Sequence, residues 1–195
     1  LWSLPDLRPD GDVQAHQGPV LSLACPPDGA QFASAAAGEP IRLWRARELT
    51  PERSVDGRVE CRTRLAYSRD GTWLIAGGHG GFARWETATG AAVPPGKGGF
   101  VSCNRFALSP DGSTVALAIG DPGWSEVEFR DLKTLERTAV AGGHRGTVHA
   151  LGFLPGNGNL VTAGRDATIR VWAGESGAPI RAFESKRFSS FFDLD

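Results

Sequence analysis

The sequence predicts an all-β fold made of repeated four-stranded sheets, and three observations carry that expectation. Tryptophans recur at Trp2, Trp44 and Trp85, spaced by 42 and 41 residues, and the same beat continues through Arg130 and Trp172 at intervals of 45 and 42. A period of this length marks a chain assembled from copies of one supersecondary unit. A turn recurs in phase with it, as Pro27-Asp28-Gly29, Arg69-Asp70-Gly71, Pro110-Asp111-Gly112 and the looser Pro155-Gly156-Asn157-Gly158; Gly and Asn suit hairpin turns because they tolerate positive φ. The segments around these markers alternate apolar and polar residues, and no ten-residue window shows the 3.6-residue periodicity of a helix.

Taken in order, the first strand of each unit precedes the turn, as in Val20-Leu21-Ser22-Leu23-Ala24-Cys25 and Val148-His149-Ala150-Leu151-Gly152-Phe153. The second follows it, as in Leu160-Val161-Thr162-Ala163. The third ends at the periodic position: Ile41-Arg42-Leu43-Trp44, Phe82-Ala83-Arg84-Trp85, Val127-Glu128-Phe129-Arg130 and Ile169-Arg170-Val171-Trp172. Each has the alternation of a strand with one buried face, and Arg130 is the outlier where the others have Trp. A fourth, weaker strand fits between that position and the next unit, as in Ala178-Pro179-Ile180-Arg181-Ala182-Phe183.

Composition narrows the function. The 195 residues carry 21 basic and 22 acidic side chains mixed along the length, a formal net charge of -1, so no basic face for nucleic acid or anionic lipid is expected. No stretch approaches the 18 apolar residues of a membrane-spanning helix, and the opening Leu1-Trp2-Ser3-Leu4-Pro5-Asp6 has neither the basic nor the apolar region of a secretion signal. Cys25, Cys61 and Cys103 form no C-x-x-C pair and have no histidine at zinc-finger spacing. They read as inert, buried or half-buried thiols in a reducing compartment, which favours the cytoplasm.

Gly143-His144, the turn Ser109-Pro110-Asp111-Gly112, the run Thr162-Ala163-Gly164-Arg165-Asp166 and the strand Ile169-Arg170-Val171-Trp172 together resemble WD40 repeats, and the resemblance covers nearly the whole chain. It implies a β-propeller: four-stranded antiparallel blades set radially around a channel, each covering its neighbour's face. The units expected are the end of a preceding blade at 1–15, blades at 16–57, 58–98, 99–143 and 144–185, and the start of a further repeat at 186–195, so that the chain is cut from a longer array. The resemblance also implies a buried hydrogen-bonded network, carried by His144, Thr162, Asp166 and Trp172. The first blade keeps His16, Ser34 and Trp44 but has Gly38 at the Asp position. The second keeps only Trp85, with Arg58 at the His position, and the third has Gly99 and Arg130.

A histidine beside a carboxylate and a hydroxyl invites a catalytic reading, but an indole donating to the hydroxyl and an Asp holding the His account for all four residues structurally. Pro95-Gly96-Lys97-Gly98 fails as a phosphate-binding loop, because no Ser or Thr follows Lys97 and no helix follows. Gly77-Gly78-His79-Gly80-Gly81 reads as a tight turn between second and third strands, without metal partners for His79. No G-x-S-x-G elbow or shared carboxylate pair appears, and the first strands carry Val20, Leu21, Leu23, Leu65, Phe106, Val148 and Leu151 rather than the inward His, Asp or Glu of a catalytic channel. No catalytic residue, cofactor or metal is expected. The function expected is a non-catalytic scaffold for protein partners, the rival being the sensing or docking arm of a larger signalling enzyme such as a WD40-linked protein kinase or protease. Trp124 is the one candidate partner contact: the third blade's extra three residues fall at Asp121-Pro122-Gly123-Trp124, a loop by this reading, where an exposed Trp suits binding. The competing structural reading folds Trp124 back over the gap at Arg130.

Overall fold

A computed structural model describes residues 2–3, 8–9, 12–56, 64–78, 81–93, 102–121 and 123–184. After a two-residue pairing of β1 (Trp2–Ser3) with β2 (Arg8–Pro9), the chain forms four antiparallel four-stranded sheets in sequence. The first holds β3 (Val20–Ala24), β4 (Gln31–Ala36), β5 (Ile41–Arg45) and β6 (Thr50–Val55). The second holds β7 (Arg64–Tyr67), β8 (Trp73–Gly78), β9 (Gly81–Glu86) and the short β10 (Ala92–Val93). The third holds β11 (Arg105–Leu108), β12 (Thr114–Asp121), β13 (Trp124–Asp131) and β14 (Arg137–His144), and the fourth β15 (Val148–Phe153), β16 (Leu160–Gly164), β17 (Thr168–Trp172) and β18 (Pro179–Glu184). Each sheet is a meander in which every strand pairs with the next along the chain. No helix occurs among the described residues.

The turns close as their composition requires. Gly29, Gly71 and Gly112 sit at φ of 64°, 72° and 77°, the left-handed region that costs a side-chain-bearing residue energy and glycine none. In all three of these turns the Asp carboxylate accepts the amide two residues on, Asp28 from Ala30, Asp70 from Thr72 and Asp111 from Ser113, a local bond that fixes the bend.

Each sheet has two faces, and alternation along its strands sends side chains to both. In β12, Ala116 and Ala118 pack with Val148, Leu160 and Trp172 of the fourth sheet, while Val115, Leu117 and half-buried Ile119 pack with Ile75, Phe82 and Cys103 on the second-sheet side. Between the first and second sheets, Ala33, Ala35, Ile41 and Leu43 meet Leu65, Tyr67, Leu74 and Trp85. The cores therefore lie between successive sheets, and no sheet encloses one alone. That is why one unit has no stable fold without a neighbour.

Two arginines also tie sheets two and three together: Arg69 donates to the carbonyl of Pro110, and Arg84 to the carbonyls of Leu132 and Lys133, the latter at 2.6 Å. Val20, Leu21 and Leu23 of β3 are exposed, unlike their counterparts Leu65 and Val148. Phe106 and Leu151 of the third and fourth sheets are half-buried, so the first strands differ in exposure from sheet to sheet.

The meander fixes two rims. Turns joining first to second and third to fourth strands lie at one end of every sheet. Turns joining second to third strands, and the connections from one sheet to the next, lie at the other; His16, His144, Asp166 and Trp124 lie at or near that second rim, while Trp44, Trp85, Arg130 and Trp172 lie at the third-strand ends toward the first.

Candidate functional site

The fourth sheet brings His144, Thr162, Asp166 and Trp172 together. Trp172 lies across from Leu160 in the β16–β17 pairing, with Thr162 two residues along and so on the same face. Its indole Nε1 donates to Thr162 Oγ1 at 2.9 Å, and that oxygen lies 2.7 Å from His144 Nε2. Nδ1 of the same ring lies 3.0 Å from Asp166 Oδ1. One assignment satisfies every group: the indole N–H donates to the threonine, the threonine O–H donates to Nε2, and Nδ1–H donates to the carboxylate. Asp166 further accepts the amide of Arg145 at 2.9 Å and the amide and hydroxyl of Thr168 at 3.1 and 2.8 Å. Burial opposes its ionisation, but the Arg145 amide, His144 and Thr168 outweigh that and hold its pKa near 2. His144 is pushed below its ordinary value, chiefly by burial, with Asp166 opposing, so the ring is neutral and free to accept at Nε2.

The first sheet repeats the chain of bonds with one difference. Trp44 Nε1 donates to Ser34 Oγ at 2.8 Å, and Ser34 lies 2.8 Å from His16 Nε2. The carboxylate that holds Nδ1 is Glu39 at 3.1 Å, which also accepts the amides of Gln17 and Gly18 at 3.0 Å. Sequence reasoning missed Glu39 because it compared position 38, a glycine, with Asp166. A carboxylate one residue later, on a side chain one methylene longer, does the same work, and Gly38 at φ 73° lets the turn shift to present it.

In the second sheet Trp85 Nε1 donates to the carbonyl of Asp56 at 3.3 Å instead of a hydroxyl. Arg58 and Gly99, noted at the His positions of the second and third blades, lie outside the described residues, as do Cys61, His79 and the Pro95–Gly98 stretch.

The third sheet corrects the expectation about Arg130. There is no gap for Trp124 to cover: Arg130 is itself buried, with Nε 2.8 Å from Glu128 Oε2 and Nη1 3.1 Å from the carbonyl of Leu135. Arg137 adds a second cation to Glu128 at 3.1 Å. The long aliphatic stem and planar head of arginine fill the space of an indole, with the charge neutralised locally. Trp124 stands six residues away along the same strand, about 20 Å at a strand's rise.

The placement of Trp124 is also corrected. It is the first residue of β13, paired with Asp121, not a loop residue. The extra residues lengthen a hairpin, because strands gain ladder hydrogen bonds that a loop would forgo. Gly120, at φ 124°, makes this geometry specific: a Cβ there would lie 2.5 Å from the Trp124 carbonyl oxygen. The indole itself is 51% exposed.

The thiols divide. Cys103 is buried and its pKa is pushed up to about 12 by desolvation, whereas Cys25 is exposed, contrary to the expectation of burial, because it lies just past the end of β3. Among the described residues no group of three His, Cys, Asp or Glu gathers that could hold a metal. A cleft of about 740 Å³ opens between the third and fourth sheets at the opposite rim, lined by Ser109, Asp111, Phe153, Asn157 and Glu175 among others. Its Asp111 carboxylate is already engaged by Ser109 and Ser113.

Four-stranded meanders stacked face to face, with Trp–hydroxyl–His–carboxylate chains in two of them, define a repeat protein built from propeller blades. The family model described as "WD domain, G-beta repeat" matches residues 8–45 and 133–173, so WD40 repeats are recognised at those two stretches. It is similar to the THO complex subunit 6 homolog of Danio rerio, at 23% identity over 91% of this chain and 44% of that protein. It is similar to the apoptotic protease-activating factor 1 of Danio rerio, at 24% over 91% and 14%. A shorter match, 36% identical, joins it to WD repeat-containing protein 1 of Bos taurus over 38% of this chain and 12% of that one. The chain thus spans less than half the length of each of these relatives. WD40 repeats in general mediate protein–protein interaction and are generally non-catalytic.

Proposed function

We propose that this chain is a non-catalytic interaction scaffold whose rim near Trp124 meets a partner protein, and that the two polar networks serve stability alone. The observation that carries the reading is the contrast between them. In both networks every polar atom is used up by a partner within the blade, leaving no hydroxyl or imidazole nitrogen for a substrate, whereas Trp124 presents a large aromatic surface to solvent. Exposed Trp is a residue type that dominates binding energy when buried by a partner. We further divide the chain into blades at 16–57, 58–98, 99–143 and 144–185, a division supported by the succession of four four-stranded sheets, of which only the last residue of β14, His144, crosses a boundary. The relative named for protease activation supports a second reading, in which the repeats form the docking arm of a larger protein.

The test is quantitative affinity capture from the source cells, comparing the protein with its Trp124→Ala variant. A defined partner recovered with the former and weakened at least tenfold with the latter, about 1.4 kcal/mol, at unchanged stability, is the expected result. Equal recovery of every partner removes Trp124 from the interface.

A further inference from the structure

We infer that the rim around Trp124 takes an acidic peptide segment bearing one apolar side chain, presented by a partner protein; this rests on the scaffold reading above. The register places the chemistry. Ser125 pairs with His144 across β13 and β14, so Trp124 and Arg145, each one residue nearer the rim, stand side by side. Arg165 follows on the β16–β17 turn, held against the same connection by its amide bond to the carbonyl of Thr147 at 2.9 Å. Arg145 and Arg165 are both exposed, and no ion pair joins either guanidinium to a described side chain.

Two of the acidic groups nearby are described. Asp166 is consumed by His144, the Arg145 amide and Thr168, with Arg170 at 4.0 Å. Glu126 lies half-buried two residues in from the hairpin's end, and the side chain of Asp121 lies outside the described residues. The patch is thus an indole with one exposed cation, Arg145, beside it and a second, Arg165, on the neighbouring turn, on a chain whose net charge is -1. The concentration of arginine there is therefore local and not a reflection of overall basicity. A carboxylate-rich segment complements it: each guanidinium offers a planar fork that matches a carboxylate, and the indole face supplies apolar contact for one side chain. The backbone can approach closely, since a Cβ at Gly123 or Gly142 would meet nothing within 4 Å.

The experiment pans a phage-displayed library of short random peptides on the protein, then measures a representative enriched peptide by fluorescence anisotropy. The same peptide is measured against Trp124→Ala and against the double variant Arg145→Glu/Arg165→Glu. Both variants leave the backbone bonds of Arg145 and Arg165 available, and circular dichroism checks that they fold. The expected result is enrichment of Asp- and Glu-rich peptides with one aromatic or aliphatic residue, binding that weakens at least tenfold in each variant, and loss of affinity as salt is raised, as for exposed charges. Neutral or basic peptides that still depend on Trp124 would overturn the acidic specificity and leave the scaffold reading standing. Acidic peptides that bind the double variant equally well would overturn the role of the arginines. A selection in which nothing depends on Trp124 would overturn both.

Discussion

Replacing Asp166 by alanine removes the acceptor that terminates the fourth sheet's hydrogen-bond chain, and the structure sets the size of the effect. Four donors lose their partner: His144 Nδ1–H, the amides of Arg145 and Thr168, and the Thr168 hydroxyl. The Arg145 amide is exposed and regains water, so it contributes little. His144 is buried, and a buried donor left unsatisfied costs about 1–3 kcal/mol. Thr168 Oγ1 lies 3.2 Å from the same nitrogen and offers a weaker substitute, which puts the expected loss near 2 kcal/mol. The control is Glu86→Ala, whose carboxylate accepts from the exposed Thr89 hydroxyl and whose removal should cost no more than about 0.5 kcal/mol. In thermal melts the two variants should differ by roughly 4–8 °C for a chain of this size.

The gap should also depend on pH. Asp166 titrates near 2 in the folded protein against an ordinary 3.8, so the unfolded chain takes up the proton first. Its contribution is complete above about pH 4 and is lost as pH falls toward 2, and the difference between wild type and Asp166→Ala should shrink over that interval. Equal melting temperatures at neutral pH for Asp166→Ala and Glu86→Ala would refute the reasoning outright. A gap that stays constant into acid would show that it does not come from the carboxylate's charge.

Glu128→Ala should destabilise strongly, by about 3–5 kcal/mol, because it leaves the Arg130 guanidinium buried and unpaired; Glu126→Ala on the same strand should not, and chemical denaturation of both variants decides it. Trp124→Ala should leave stability within roughly 0.5 kcal/mol, and a water-soluble quencher should reach the Trp124 indole readily while sparing Trp44 and Trp172. A stability loss of the size seen for buried aromatics, about 3–5 kcal/mol, would show that Trp124 belongs to the core. Gly120→Ala should cost about 1–3 kcal/mol, since its φ of 124° is strained for alanine and the new Cβ meets the Trp124 backbone, with equilibrium unfolding as the measurement. Under native conditions a thiol reagent should modify Cys25 and leave Cys103 untouched, because the latter is buried with its pKa near 12; peptide mapping that finds the two equally modified would contradict the burial.

The all-β class, the four sheets and the strand order were legible in the sequence because they depend on local features: alternation with period two, and turns that need glycine at positive φ. The fourth sheet's network was legible for the same reason, since Thr162, Asp166 and Trp172 keep fixed offsets on one hairpin and His144 precedes it at a regular distance. Where the chemistry departs from the repeat, position alone misleads. Glu39 lies one residue beyond the site compared and reaches His16 only because a longer side chain and a shifted turn compensate, which depends on three-dimensional reach and not on spacing. Arg130 reads in sequence as a missing tryptophan and an empty space, yet packing brings Glu128 and the Leu135 carbonyl to its guanidinium, so a charge occupies the site of an indole. Trp124 reads as a loop residue because its insertion breaks the period; whether extra residues bulge out or extend a ladder is decided by pairing across the hairpin. The position of Arg145 beside it follows from the register of β13 against β14, a long-range property that no stretch of sequence contains by itself.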